Sequence, residues 1–212
     1  MNRRVLLVVA AAWLLVHPAA ARADVFHGVT FPGGAASFAD EVVSYAPVLV
    51  GGHPQDPWNI PASALGIPDY PETRPGHVSL GDGGSLVVRF TNNSLTGNGT
   101  SALDLWIFEV GPDVEDTFVW ISKDGIDWLS VGKVFGSTSG IDVDAFGVHA
   151  GNYYSFVKLQ DDGSEGAQSG DTVGADIDAI GAISSAPPVS VPEPLTMWLL
   201  GIGAAAVLRR RG

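Results

Sequence analysis

The chain has 212 residues, with 27 glycines, 14 prolines and no cysteine, and 23 acidic against 11 basic residues for a net charge of −12. That balance argues against a nucleic-acid or anionic-lipid ligand. The absence of any thiol excludes disulfides, cysteine-linked lipid anchors and thiol catalysis.

In chain order, Asn2-Arg3-Arg4, the apolar run Val5 to Val16 and the small-x-small site Ala21-Arg22-Ala23 read as a secretory signal helix, with Asp24 the mature N-terminus. The expected domain spans residues 24–184, residues 185–190 form a proline-containing linker, and residues 191–212 are a separate tail. Without the signal and the tail, five cations face 22 acids, a balance of −17. Solvation alone accounts for such a surface, and bound cations are compatible with it.

Between the ends, short apolar runs alternate with turn chemistry, which predicts an all-β antiparallel sandwich or jelly roll. Strands are expected at Val25 to Phe31, Phe38 to Tyr45, His77 to Leu80 and Ser85 to Thr91. The Pro/Gly-rich stretch from Pro47 to Pro75 is too long for a plain turn and predicts an excursion over one end of the sandwich. Asn92 to Ser101 reads as a flexible polar loop. Leu103 to Val110 is apolar on both faces and predicts a covered central strand. Asp124-Gly125 between Phe118 to Ser122 and Ile126 to Val131 predicts a hairpin. Later strands are expected at Ile141 to Phe146, Tyr153 to Leu159 and Gly174 to Ile183, the last with Asp176 and Asp178 on one face and Ile177 and Ala179 on the other.

The tail carries the most specific signal. Val191-Pro192-Glu193-Pro194 is followed by the apolar segment Leu195 to Leu208 and by Arg209-Arg210-Arg211. Fourteen residues make a helix of only ~21 Å, short of a ~30 Å hydrocarbon core, so a transient transmembrane helix fits better than a permanent one. The three arginines would stay cytoplasmic and halt transfer. This cassette resembles the PEP-CTERM sorting signal of Gram-negative bacteria. The resemblance implies export, handling by an exosortase that cuts near the triplet, and delivery to the outer surface or the exopolysaccharide matrix. Upstream, Ala64-Leu65-Gly66-x-Pro68-Asp69, Val78-Ser79-Leu80-Gly81, Leu103-Asp104-Leu105, Ser122-Lys123-Asp124-Gly125-x-x-Trp128 and Gly174-Ala175-Asp176-Ile177-Asp178-Ala179 resemble a surface-protein domain found ahead of such tails, and at fold level the galactose-binding-like jelly rolls of discoidin type.

Chemistry within the domain is weakly marked. Calcium needs six to eight oxygens, and the acidic pairs Asp142/Asp144, Asp161/Asp162 and Asp176/Asp178 offer them without EF-hand spacing. Glu109, Asp176 and Asp178, within or beside strands, are the preferred ligands, with Asp161 and Asp162 next. Trp58 is the expected sugar-stacking ring, with Tyr70 or Tyr153 and Tyr154 behind it, while Trp106, Trp120 and Trp128 read as core. The histidines lack zinc-enzyme spacing, and no Gly-x-Ser-x-Gly elbow is present. The reading is therefore an exported, non-catalytic surface or matrix protein. A calcium-dependent carbohydrate-binding module is the alternative, and a glycan-active enzyme the third.

Overall fold

The computed structural model describes residues 22–72, 75–110, 115–165 and 169–188. The expected signal helix, residues 189–190 of the linker, the transmembrane helix and the sorting motif lie outside those residues. Among the described residues no helix is long and apolar enough to cross a membrane.

The chain folds as two antiparallel sheets. One has four strands in the order β10-β7-β12-β4, the other five in the order β3-β5-β11-β8-β9. These strands are β3 (Glu41–Ala46), β4 (Val78–Ser79), β5 (Ser85–Arg89), β7 (Leu105–Glu109), β8 (Thr117–Ser122), β9 (Trp128–Val134), β10 (Thr138–Ile141), β11 (Phe156–Asp161) and β12 (Asp176–Ala182). Alternation sends every second residue inward. Leu86 and Val88, Val119 and Ile121, and Val157 and Leu159 from one sheet join Leu105, Ile107, Ile177 and Ile180 from the other in a single apolar core.

The other side of the four-stranded sheet is also dry. Phe108 and Ala179 point away from the main core and pack on Phe31 and Phe38, with Phe26, Val29, Trp106 and Ile183 around them. The covering piece is the hairpin of β1 (Asp24–Phe26) and β2 (Val29–Phe31), followed by a 3-10 turn at Gly34–Ser37. Val25 to Phe31 is thus two strands instead of the expected one, because His27 at φ 46° and Gly28 at φ 82° reverse the chain. Gly181 permits this close layer: a Cβ there would stand 2.6 Å from Phe31 and 2.9 Å from Phe38.

Three other expectations are corrected. Asn92 to Ser101 is not a free loop: Ser94–Leu95 forms β6, pairs with β13 (Ser185–Ala186), and exchanges two backbone hydrogen bonds with Tyr154. Leu95 is fully buried, and that apolar side chain anchors the segment. Ile141 to Phe146 leaves the sheet after Ile141, because the Asp142 carboxylate accepts the Asp144 N–H and caps a 3-10 turn at Val143–Phe146. In β12 a bulge between Ile177 and Ala179 breaks the alternation. Ile177 consequently enters the main core and Ala179 the phenylalanine cluster, so the two do not share a face.

Candidate functional site

The acids expected to bind calcium separate into three places. At one end of the sandwich, Glu109 and Asp161 continue the inward alternation of β7 and β11 past the last apolar residues, as Thr117 does on β8. Glu109, Glu115, Asp161 and Asp176 are all at most 8% exposed. The Glu115 N–H donates to Glu109 Oε1 at 3.0 Å, and the Gly83 and Ala175 N–H groups donate to Asp161 at 2.8 and 2.7 Å. Ser79 Oγ donates to Asp176, and His77 Nε2 stands 3.7 Å from the same carboxylate.

Burial pushes the Glu109 carboxyl well above its ordinary range, with the neighbouring Glu115 adding to the effect. Burial likewise raises Asp176 to about 7, with charge from Glu115 and Asp161 contributing. The same desolvation raises Asp161, and it lowers His77 despite the Pro75 carbonyl nearby. Neither ring nitrogen of His77 nor Thr117 Oγ1 completes a hydrogen bond. At this end of the core Glu109, Asp161 and Asp176 therefore favour their neutral, protonated forms.

Asp178 stands apart. It accepts the Asp69 and Tyr70 N–H groups at 3.1 and 3.4 Å and fixes the 47–75 excursion to β12. Burial raises it to about 7 against those two donors. It lines a cavity of about 210 Å3 with Glu109, Tyr70, Phe108 and His27. Asp162 lies elsewhere, 2.8 Å from Lys133, which also pairs with Asp116. Hydrogen bonding to Lys133 holds Asp162 down at about 2.

Among the described residues, two acidic triads bring ligand atoms within 4.8 Å of one another: Asp104–Asp142–Asp144 and Asp116–Asp162–Glu165. The five expected ligands do not form such a set. Lys133 occupies the second triad. The first is held by donors from the chain: Val143 N–H and the Asn98 and Ser184 side chains on Asp104, Asp144 N–H on Asp142, and the Asn98 and Gly99 N–H groups on Asp144.

Trp58 is half-buried against β4, where its carbonyl accepts the Ser79 N–H at 2.9 Å, and its own N–H donates to Gln55. The expectation that Trp106, Trp120 and Trp128 are core fails for the last two. Trp106 packs on the phenylalanine cluster, whereas Trp120 and Trp128 are half-exposed and belong to neither apolar cluster. Their partners in alternation, Val119, Ile121 and Leu129, face inward, so both indoles stand on the solvent side of the five-stranded sheet.

That side gathers cations as well. Lys158 lies 4.9 Å above Trp120, Lys133 5.2 Å above Phe118 and Arg89 5.4 Å above Phe156, and at the edge Lys123 lies 5.1 Å above Tyr154, which packs on the main core. At its corner an open cavity of about 330 Å3 is lined by Lys123, Asp124, Asp127, Trp128, Leu129 and Tyr154. The β8–β9 turn shapes its floor. Asp124 Oδ1 accepts the Ile126 and Asp127 N–H groups, and Ser122 Oγ accepts those of Asp124 and Gly125. The available sequence signal was the inward Leu129, which obliges Trp128 to face out. Tyr154, 26 positions further along the chain, reads from the sequence as a secondary stacking candidate, but nothing there brings it beside Trp128.

One comparison with known proteins bears on the chain: residues 190–211 match the PEP-CTERM protein-sorting motif. The chain carries an exosortase sorting signal. It is thus an exported protein, anchored in the membrane before sorting to the cell surface. The domain ahead of the motif has no match among curated proteins or solved structures.

Proposed function

We propose that the chain is a non-catalytic component of the surface or exopolysaccharide matrix of a Gram-negative cell. The PEP-CTERM motif at residues 190–211 carries this reading. Secretion machinery takes the chain across the membrane, Leu195 to Leu208 and Arg209 to Arg211 hold it there, and Pro192-Glu193-Pro194 offers the exosortase its recognition triplet. These residues are recognition elements in another enzyme's substrate. The β-sandwich is the cargo, and its bound partner is extracellular polysaccharide.

The test is the intact mass of the protein recovered from its host, beside a variant with Pro192, Glu193 and Pro194 replaced by alanine. A mass ending near the triplet in the first, with the arginine tail retained in the second, is expected. Retention of the whole tail in both would overturn exosortase processing. A glycan-active enzyme is the second reading, because Glu109 and Asp178 line one cavity and burial lifts both carboxyls towards neutrality, as in the acid partner of a hydrolytic pair. Release of reducing sugar from matrix polysaccharide, lost in Glu109→Gln, would favour it.

A further inference from the structure

Trp128 opens β9 with its ring on the solvent side, and among the described residues no cation and no other ring stacks on it. An indole held this way leaves an aromatic face for apolar C–H groups. Around it the cavity of about 330 Å3 sets Tyr154 and Leu129 as apolar walls, with Lys123 as donor and Asp124 and Asp127 as acceptors. The volume suits a small ligand, and an aromatic wall with a few convergent polar groups is the usual make-up of such a site.

The polar groups narrow the ligand class. One ammonium beside two carboxylates offers both donor and acceptor positions to hydroxyl groups, while the excess of carboxylate repels an anionic sugar. Asp124 has one oxygen committed to the turn, and those backbone N–H groups hold its carboxyl below the usual range, so it stays an acceptor. The cavity is open, and its neighbours extend the platform. Ser122 pairs with Trp128 and Trp120 with Ser130, which makes Trp120 and Trp128 diagonal neighbours across β8 and β9, a residue spacing of ~7–8 Å. A chain leaving the cavity along the sheet meets Trp120 with Lys158 above it.

We infer that the cavity at Trp128, Tyr154, Lys123, Asp124 and Asp127 binds one pyranose unit of a neutral polysaccharide, stacked on Trp128 and hydrogen-bonded through its hydroxyls to Asp127 and Lys123. This deepens, and rests on, the matrix reading above: it names where the polysaccharide is held. A pyranose presents the C–H face that the indole takes and the equatorial hydroxyls that the flanking charges take. Asp127 and Trp128 are the specificity-determining pair.

The test is affinity electrophoresis of the full chain in a non-glycosidic detergent, through gels containing a β-glucan, an α-glucan, a galactan, a mannan or the neutral polysaccharide fraction of the host matrix. The wild-type chain is expected to be retarded in at least one gel. Trp128→Ala and Asp127→Asn are expected to weaken that retardation about tenfold. Trp128→Tyr, which keeps a ring, should retain most of it and guards against misfolding of the alanine variant. Trp58→Ala should leave it unchanged. No retardation of the wild-type chain in any gel would overturn the site together with the matrix reading. Retardation undiminished in both Trp128→Ala and Asp127→Asn would overturn the site and leave the matrix reading standing.

Discussion

The two sheets of the sandwich share one core yet treat their outer faces in opposite ways. On the four-stranded sheet, Phe108 and Ala179 are sealed beneath Phe31 and Phe38. On the five-stranded sheet, Phe118, Trp120 and Trp128 stay partly in water, with lysines over the first two rings. Aromatic residues occur on both, so composition does not separate the faces. What separates them is whether another segment of the chain lies on top. The N-terminal hairpin covers one face; the other is left open, and the shaped cavity sits at its edge, where Trp128 meets the β8–β9 turn and the core-packed Leu129 and Tyr154. In a chain whose tail directs it to the cell surface, the open face is where a matrix ligand has access.

Removing a ring should therefore cost very different amounts on the two sides. Phe108→Ala leaves a cavity beneath Phe31 and Phe38 and should lower unfolding free energy by ~3–5 kcal/mol in urea titration. Phe118→Ala, at 37% exposure, should cost ~1 kcal/mol or less in the same assay. Comparable losses would break the contrast. Gly181→Ala sharpens it by wedging a methyl between the sheet and its cover, with an expected loss of ~1–3 kcal/mol.

A third prediction concerns pH. The carboxyls of Asp176 and Asp178 are raised to about 7 from 3.8, and Glu109 is raised as well. Folding therefore favours their protonated forms, and that stabilisation is complete below the unfolded value and lost as pH rises through the folded one. The thermal midpoint should fall by several degrees between about pH 5 and pH 8. Asp178→Asn, which cannot ionise, should flatten the slope, and an equally steep slope in that variant would contradict the assignment. The smallest effect is expected on the open face: Lys158→Ala should change stability by ~0.5–1 kcal/mol at most, since its contact with Trp120 is partly exposed.

Much of this was legible in the residues. Alternation around Val119, Ile121, Val157 and Leu159 was enough to place strands, and Asp124-Gly125 to place the hairpin between β8 and β9. The misses share a cause, namely contacts made far along the chain. The hidden turn at His27-Gly28 depends on a phenylalanine layer that includes Phe108. The burial of Ser94–Leu95 depends on Tyr154 and β13. The pairing of Asp178 with the 47–75 excursion spans 109 positions. The cavity was half visible, since the outward direction of Trp128 follows from Leu129, but Tyr154 joins it only through the packing of the segment before β11.

The comparison between the faces is tested most directly by hydroxyl-radical footprinting of the full chain, with and without the neutral polysaccharide fraction of its own matrix. Trp128 and Trp120 should react readily alone and be protected when polysaccharide is present, Trp128 most strongly, while Phe108 should react slowly in both. Unchanged reactivity at Trp128, or protection confined to the covered face, would contradict it.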